Sequence, residues 1–318
     1  MSVRKLPHRP KEPADKPPAK PEDTGPAGAH EDAAAAPVLP VRGLAPRLAR
    51  AFASPRAGRA ALIPYLTGGH PDVQTSDRLI ATLIDAGADI VELGIPFSDP
   101  IADGPVVQHS THAALTAGVT PDDVLGLAAA HSAGAPFVLL TYLNSVLAFG
   151  AEKFFARAAT AGVEALVIPD LPLDEAAGRT VSLAREAGGL AALAAGAGVS
   201  LVPMATPTST DQRLDLVAAA ATSFVYCVAV TGVTGARAEV GAELPALLAR
   251  LRERTDAPLA VGFGISTSEQ AAGVAALADG VIIGSALIDA VTRAASPDDA
   301  CAAARALVGN ACAAIAGA

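Results

Sequence analysis

Short apolar runs alternate with alanine-rich segments of helical periodicity from Leu44 to the end of the chain. The apolar runs show no polar alternation, which is typical of parallel strands covered on both faces. Eight runs predict strands, at Ala61–Thr67, Asp89–Ile95, Phe137–Tyr142, Ala165–Asp170, Leu201–Thr206, Phe224–Val230, Leu259–Phe263 and Gly280–Gly284. The segments between them predict helices, among them Gln74–Ala86, Glu152–Ala161, Asp174–Ala187, Asp211–Ala221, Glu243–Arg254 and Ser268–Ala276.

This order of elements predicts an α/β fold with a single (β/α)8, or TIM, barrel. Eight units favour closure, since an open doubly wound sheet usually has fewer strands. The chain has 318 residues, of which 51% are hydrophobic, so it can bury the core that one barrel needs. The glycine-rich stretch Gly188–Gly198 either lengthens a helix or forms a small flexible excursion, and its pattern favours neither reading.

Residues 1–45 differ in composition from the rest of the chain. Prolines recur there among Lys, Glu, Asp and Ala, and such a segment buries too little apolar surface to offset its ordering entropy. We therefore expect a disordered tail over 1–45 and a catalytic barrel domain over 46–318. The tail is either dispensable or a docking segment for partners.

The charge balance limits the classes of partner. A formal net charge of −9 argues against nucleic acid and anionic membranes, which both favour a basic surface. The three cysteines lack metal-ligand spacing and indicate reduced thiols in the cytoplasm. A secretory signal is not expected, because no apolar segment follows the basic residues at the N-terminus. A membrane span is not expected, because glycine, proline or charge interrupts every long apolar run.

Two acids near one predicted strand are candidates for acid–base catalysis. Glu92 lies within the apolar run IVELGIPF, where burial favours its neutral form, and no other predicted strand supplies an interior Lys or Arg to pair with it. Asp103 follows in a proline-rich loop and can fold back over the barrel mouth to face Glu92. Asp99, which precedes a proline, is more typical of a turn. Tyr142, Asp170 and Tyr226 lie near the ends of later strands, where each is a candidate either for lining a pocket or for a structural hydrogen bond.

Glycine and hydroxyl residues cluster after the last three predicted strands, as Thr231–Gly235, Gly262–Ser266 and Gly284–Ser285. Glycine lets backbone N–H groups approach an oxyanion, and a helix N-terminus adds a favourable dipole. In barrels, the loops after the seventh and eighth strands often bind phosphate. The three clusters together therefore predict a phosphate site, whereas each one alone would be consistent with a tight turn.

At these residues the sequence resembles the tryptophan synthase α subunit family, from about Leu44 to Ala318. The resemblance rests on ALIPYLTGGHPD, GADIVELGIPFSDPIADGP, TYLNSVLAFG, VIPDLP, PTSTDQRL, FVYCVAVTGVTGAR, VGFGIS and GVIIGSA, in family order. It implies a lyase that cleaves indole-3-glycerol phosphate to indole and glyceraldehyde 3-phosphate in L-tryptophan biosynthesis.

The resemblance also implies roles for individual residues. Glu92 and Asp103 match the two catalytic acids of the family. The positions matched to substrate binding are Tyr226, Tyr65, Leu140, Tyr142, Val167 and Thr234. The positions matched to phosphate binding are Gly232, Gly235, Gly262, Gly264, Gly284 and Ser285. No metal is implied.

The resemblance further implies a β subunit partner in an α2β2 heterotetramer, with pyridoxal phosphate in the β subunit and no cofactor in this chain. The loop Thr231–Gly241 is the implied lid. The tail and Gly188–Gly198 depart from the family pattern, as do Ala229 and Val230 before GVTG and Ser145 at a common proline position. Alternatives that remain open are a stand-alone indole-3-glycerol phosphate lyase, a non-catalytic barrel that binds a phosphorylated ligand, and another phosphate-binding barrel isomerase.

Overall fold

Nine parallel strands form the centre of the fold in the computed structural model, which describes residues 45–53, 60–171, 184–229, 243–262 and 264–318. The strands are β1 (Ala61–Thr67), β2 (Val91–Gly94), β3 (Phe137–Leu140), β4 (Val163–Val167), β5 (Ser200–Val202), β6 (Met204–Ala205), β7 (Val225–Val228), β8 (Leu259–Gly262) and β9 (Gly280–Ile283). They lie in the order β5-β4-β3-β2-β1-β9-β8-β7-β6.

The two strands at the ends of this order are consecutive in the chain and are separated only by Pro203. β5 pairs with β4, whereas β6 pairs with β7. Proline has no N–H to donate, so the hydrogen bonding changes partner there, and the Pro203 carbonyl accepts a bond from the Tyr226 N–H at 2.9 Å. Residues 200–205 thus act as one strand that joins both ends of the sheet. The predicted eight-unit (β/α)8 barrel is confirmed.

Twelve helices of the described residues surround the strands. They are α1 (Pro46–Ala53), α2 (Val73–Asp85), α3 (Pro105–Thr116), α4 (Pro121–His131), α5 (Leu143–Phe149), α6 (Ala151–Thr160), α7 (Ala184–Ala197), α8 (Asp211–Ala220), α9 (Leu244–Arg252), α10 (Ser268–Ala275), α11 (Ser285–Thr292) and α12 (Pro297–Ala316).

The predicted elements agree closely with these bounds, since no predicted strand end differs from the observed one by more than three residues. Glycine-rich Gly188–Gly198 lengthens a helix, because α7 continues to Ala197 and buries Leu190 and Ala194 against the core. Most of the helix predicted at Asp174–Ala187 lies outside the described residues, as does the tail up to residue 44.

Helix α1 covers the amino-terminal end of the barrel. Its Leu48 is fully buried, and the ring of Phe52 packs against Phe224, just before β7, with centroids 5.4 Å apart. The Leu48 N–H donates to the carboxylate of Glu164 on β4 at 3.0 Å. Among the described residues, α1 therefore closes the amino-terminal end of the barrel, and the interior opens toward the carboxyl ends of the strands.

Two aspartates tie neighbouring strands together at the same end. Asp89 precedes β2 and accepts a hydrogen bond from the Leu62 N–H of β1 at 2.8 Å. Asp279 precedes β9 and accepts one from the Leu259 N–H of β8 at 2.7 Å. A carboxylate that receives a backbone N–H satisfies a donor that the strand would otherwise leave unpaired at its start.

Among the described helices, α12 is long and apolar enough to cross a membrane by length and composition. It contacts α2, α10 and α11. Ala300, Ala304, Val308, Ala311 and Ile315 are buried at spacings of three or four residues, which is the pattern of a helix packed on a core. The helix therefore packs one face on the rest of the fold.

We expect Asp89→Ala to lower the free energy of unfolding by about 1–3 kcal/mol, because the buried Leu62 N–H loses its charged acceptor. Thermal unfolding should show a fall of several degrees in the melting temperature. Asp85→Ala is the control, since its exposed pair with Arg305, at 3.7 Å, contributes little. Equal melting temperatures for the two variants would contradict the assignment.

Candidate active site

A cavity that is partly open to solvent lies at the carboxyl ends of the strands. The loop before α3, the ends of β3 and β9 and the start of α11 all contribute to its wall. The lining residues are Tyr65, Asp103, Gly104, Val106, Val107, Leu140, Tyr226, Gly264, Ile265, Ile282, Gly284 and Ser285. This end of a (β/α)8 barrel is where active sites form.

Glu92 is held in β2, beside this cavity. It is the register partner of Tyr65 on β1, so the two side chains share one face of the sheet, and Tyr65 lines the cavity. The Glu92 side chain is only 1% exposed. Neither carboxyl oxygen has a hydrogen-bond partner among the described residues. A buried carboxyl with its full hydrogen-bonding capacity unused is an uncommon feature outside functional sites.

Burial and, to a smaller extent, the charge of nearby Asp103 together raise the pKa of Glu92 from an ordinary 4.5 to about 8. The folded protein therefore holds this proton at pH values where the unfolded chain releases it. Between those two pKa values, the contribution of Glu92 to stability falls as the pH rises. At neutral pH the group is a carboxylic acid that can donate a proton.

Asp103 belongs to the loop between β2 and α3 and lines the cavity. Its backbone N–H donates to the Pro100 carbonyl at 3.0 Å, and its carboxylate accepts a hydrogen bond from the Tyr142 hydroxyl at 3.0 Å. Burial raises the pKa of Asp103 to about 6, while the bond from Tyr142 opposes that rise. At neutral pH Asp103 is therefore mostly ionised, in contrast to Glu92.

The chain has three tyrosines, and all three surround the two acids. A Cβ at Gly94 would lie 2.1 Å from the Tyr65 hydroxyl, and a Cβ at Gly262 would lie 2.5 Å from the Tyr226 hydroxyl. Only glycine leaves room for the two hydroxyl groups at these strand ends. Burial raises the pKa of Tyr65 and of Tyr226, as do the two acids, so both hydroxyls stay protonated.

The wall of the cavity also contains the start of α11, next to Tyr65. Gly284 is its N-cap and provides no side-chain cap, so the first backbone N–H groups of this helix stay available to a ligand. By contrast, Thr267 and Gln270 already cap α10 with a reciprocal pair of hydrogen bonds. Gly264 adopts a φ of 84°, which favours glycine, and lines the same wall. These features suit a phosphate group.

The structure brings most of the predicted site residues to this cavity. Tyr65, Asp103, Leu140, Tyr226, Gly264, Gly284 and Ser285 line it. Glu92 is buried beside Tyr65, Val167 is buried on β4 beside Leu140, Gly262 lies against Tyr226, and Tyr142 contacts Asp103, but none of these four is among the lining residues. The predicted positions Gly232, Thr234 and Gly235 and the lid Thr231–Gly241 lie outside the described residues.

Two further acids have structural contacts. Exposed Asp99 accepts a hydrogen bond from the Ser98 hydroxyl at 2.7 Å, which fits the turn expected from its sequence position. Asp170 accepts one from the Leu143 N–H at 2.8 Å and so holds the start of α5. Of the two roles that the sequence left open for Asp170, the structure shows the structural hydrogen bond.

Sequence reasoning missed the apolar part of the wall. Val106 and Val107 lie in the first turn of α3, Ile265 lies in the loop after β8, and Ile282 lies on β9. Polar residues after the predicted strands indicated the site. Valine and isoleucine at such positions cannot be distinguished by sequence from residues of the hydrophobic core. The position of Val106 and Val107 directly after the acidic loop was the one signal that could have identified them.

Comparison with known proteins agrees with this geometry. The family model described as tryptophan synthase alpha chain matches residues 52–315. The tryptophan synthase alpha chain of Carboxydothermus hydrogenoformans is 44% identical over 248 residues, which cover 77% of this chain and 89% of that relative. The alpha chain of Gloeobacter violaceus is 45% identical over 253 residues, which cover 78% of this chain and 88% of that relative.

Solved structures give the same result. A structure of Mycobacterium tuberculosis tryptophan synthase matches with a TM-score of 0.75 and 38% identity, covering 86% of this chain and 99% of that one. The tryptophan synthase alpha chain from Legionella pneumophila subsp. pneumophila matches with a TM-score of 0.72 and 32% identity, covering 85% and 97%. From the sequence, the barrel and its two acids, we conclude that this chain belongs to the tryptophan synthase alpha chain family of lyases.

Proposed function

We propose that Glu92 and Asp103 together carry out the alpha reaction of this family in the cavity described above. That reaction cleaves indole-3-glycerol phosphate to indole and glyceraldehyde 3-phosphate. The observation that carries the assignment is the partnerless, buried carboxyl of Glu92 beside a second acid of lower pKa. Pairs of acids whose environments separate their pKa values serve different steps of one reaction.

Glu92 moves the protons of this retro-aldol cleavage. Its carboxylic acid gives a proton to C3 of the indole ring, which turns the ring into an indolenine. The resulting carboxylate then removes the proton of the adjacent glycerol hydroxyl. As the aldehyde carbonyl forms, the bond between C3 and the glycerol carbon breaks, and its electron pair returns to the ring. Glu92 ends the cycle protonated, as it began.

Asp103 stabilises the charge that this proton transfer creates. Its carboxylate accepts a hydrogen bond from the indole N–H, which becomes more acidic once C3 is protonated. A fixed negative charge at that nitrogen stabilises the protonated ring more than the neutral substrate. Because Asp103 acts as a carboxylate and Glu92 as an acid, their different pKa values match their roles.

We assign different parts of the cavity wall to the two ends of the substrate. We assign the phosphate to the uncapped start of α11, with Gly264, Gly284 and Ser285, and extend the site to Gly232, Gly235 and Gly262 on the family resemblance. We assign the indole to the wall that includes Tyr65, Leu140 and Tyr226, with Val167 behind it. For Thr234 and Tyr142, a substrate-binding role rests only on the resemblance to the family.

We further propose that this chain works in the cytoplasm with a tryptophan synthase β subunit, in an α2β2 heterotetramer. The family match and the similar Mycobacterium tuberculosis tryptophan synthase support this assignment. No cofactor is assigned to this chain, since its own acids supply both proton transfer and charge stabilisation. Pyridoxal phosphate is assigned to the β subunit. Residues 46–318 are taken as the catalytic domain and 1–45 as a tail.

Replacing Glu92 by Gln should lower turnover of indole-3-glycerol phosphate by about 10²- to 10⁴-fold, because an amide cannot transfer the proton. At pH 8 the same variant should also melt at a higher temperature than the parent chain. In the parent chain the buried Glu92 resists ionisation in the folded state but not in the unfolded state, which favours unfolding, and Gln has no such group. Steady-state assays and thermal unfolding measure the two effects.

Glu164→Gln is the matched control for this experiment. Glu164 is also a partly buried strand carboxyl whose pKa burial raises, but it lies on β4, where it contacts α1 at the other end of the barrel. Its replacement should leave turnover within about twofold of the parent chain. If Glu92→Gln retained parental turnover, Glu92 would have no part in proton transfer.

The pH dependence of kcat/KM should be bell-shaped, with limbs near pH 6 and pH 8. The acid limb reports ionisation of Asp103, with a pKa of about 6, and the basic limb reports loss of the Glu92 proton at about 8. Asp103→Asn should abolish most activity, because the amide carries no negative charge. Glu92→Asp should keep the acid limb, because that limb reports Asp103, which this variant retains. A profile that stays flat between pH 5 and pH 9 would refute both assignments.

Addition of a purified tryptophan synthase β subunit should raise turnover of indole-3-glycerol phosphate by about 5- to 150-fold, the usual range of coupling between distant sites. Size-exclusion chromatography of the mixture should show a complex larger than either chain alone. High turnover by the unassisted chain, with no change on addition, would instead favour a stand-alone lyase.

A further inference from the structure

We infer that Tyr142 is a positioning residue, which holds the Asp103 carboxylate and its loop in place over the barrel mouth. The inference rests on the proposed role of Asp103. The Tyr142 hydroxyl donates to Asp103 Oδ2 at 3.0 Å and accepts a hydrogen bond from the Ala102 N–H at 3.1 Å. A single hydroxyl group therefore binds both the side chain of Asp103 and the backbone before it.

Tyr142 can serve as an anchor because the barrel fixes its ring. The side chain is 2% exposed and stacks on Phe97, with ring centroids 5.0 Å apart and planes 21° apart. Its backbone forms the N-cap of α5, whose first N–H, that of Leu143, donates to Asp170. The hydroxyl thus projects from a rigid position toward a loop that joins β2 to α3.

The other contacts of Asp103 hold its backbone. Its N–H donates to Pro100 and its carbonyl accepts from the Gln108 side chain at 2.8 Å. Among the hydrogen bonds of the described residues, the one from Tyr142 is the bond that reaches the Asp103 carboxylate. The direction of that carboxylate toward the cavity therefore depends on Tyr142.

This geometry separates Tyr142 from the residues that form the pocket wall. Leu140, two residues earlier, lines the cavity, whereas Tyr142 is not among the lining residues. Its donor proton is already used on Asp103. A hydrogen bond to the ionised form favours ionisation, so Tyr142 also opposes the effect of burial on the pKa of Asp103.

The test is Tyr142→Phe, which removes the hydroxyl and keeps the ring. Carbon-13 NMR titration of the Asp103 carboxyl in the enzyme without substrate should show its pKa rise by about one unit. The acid limb of the kcat/KM profile should move upward by the same amount. A rise of one pKa unit lowers the ionised fraction of Asp103 by at most tenfold. We therefore expect kcat/KM to fall about fivefold at pH 6, whereas at pH 8, where Asp103 stays mostly ionised, it should hardly change.

Ser98→Ala is the control, because it removes a hydroxyl from the same loop that bonds to Asp99 and not to Asp103. The Asp103 pKa and the acid limb should stay where they are in the parent chain. An unchanged Asp103 pKa in Tyr142→Phe would overturn the inference. A raised pKa with an unmoved acid limb would instead support positioning and refute the proposed catalytic role of Asp103.

A second variant keeps the test decisive if Tyr142→Phe does not fold. 3-Fluorotyrosine placed at position 142 alone retains the hydroxyl as a stronger donor, because fluorine makes the phenol more acidic. The Asp103 pKa and the acid limb should then both move downward. An unchanged or higher Asp103 pKa with the fluorinated residue would overturn the inference.

Discussion

Burying a carboxyl group without a hydrogen-bond partner costs free energy, and the active-site half of this barrel is organised around one such group. Glu92 lies in an otherwise apolar strand, and neither of its oxygens is bonded within the described residues. Because burial disfavours the charged form of the carboxyl, the pKa of Glu92 rises to about 8, and the group keeps its proton at neutral pH. The closed ring of strands maintains this state, because it keeps Glu92 buried.

Tyrosine hydroxyls and glycines accompany that acid. Tyr65 and Tyr226 occupy the interior beside Glu92, and Gly94 and Gly262 leave the space for their hydroxyls. Both tyrosines stay neutral, so they add no negative charge beside the two acids. Asp103 differs because the Tyr142 hydroxyl supports its charged form. The two acids thus acquire separate protonation states from their surroundings.

Much of this could be predicted from the sequence, and the limits have physical causes. Apolar runs located the strands, and Glu92 was identifiable because a charge within such a run is unusual. The α1 cover and the partner change at Pro203 depend on contacts between distant segments, which periodicity does not encode. The contact of Tyr142 with Asp103 has the same cause, since 39 residues separate them. The apolar wall at Val106 and Val107 gave no chemical signal.

The two ends of the barrel explain why its acids behave so differently. At the amino-terminal ends of parallel strands, backbone N–H groups lack partners, and Asp89 and Asp279 accept them. At the carboxyl ends, Glu92 has no hydrogen-bond donor among the described residues, and burial together with the nearby charge of Asp103 keeps its proton in place. Helix α11 begins at this end without a side-chain cap, and Gly284 and Ser285 at its start line the wall assigned to the phosphate. The wall of the cavity thus combines a helix start that suits an anion with the carboxylate of Asp103, and the carboxylic acid of Glu92 is buried beside it, which is the combination proposed here for cleavage of a phosphorylated indole substrate.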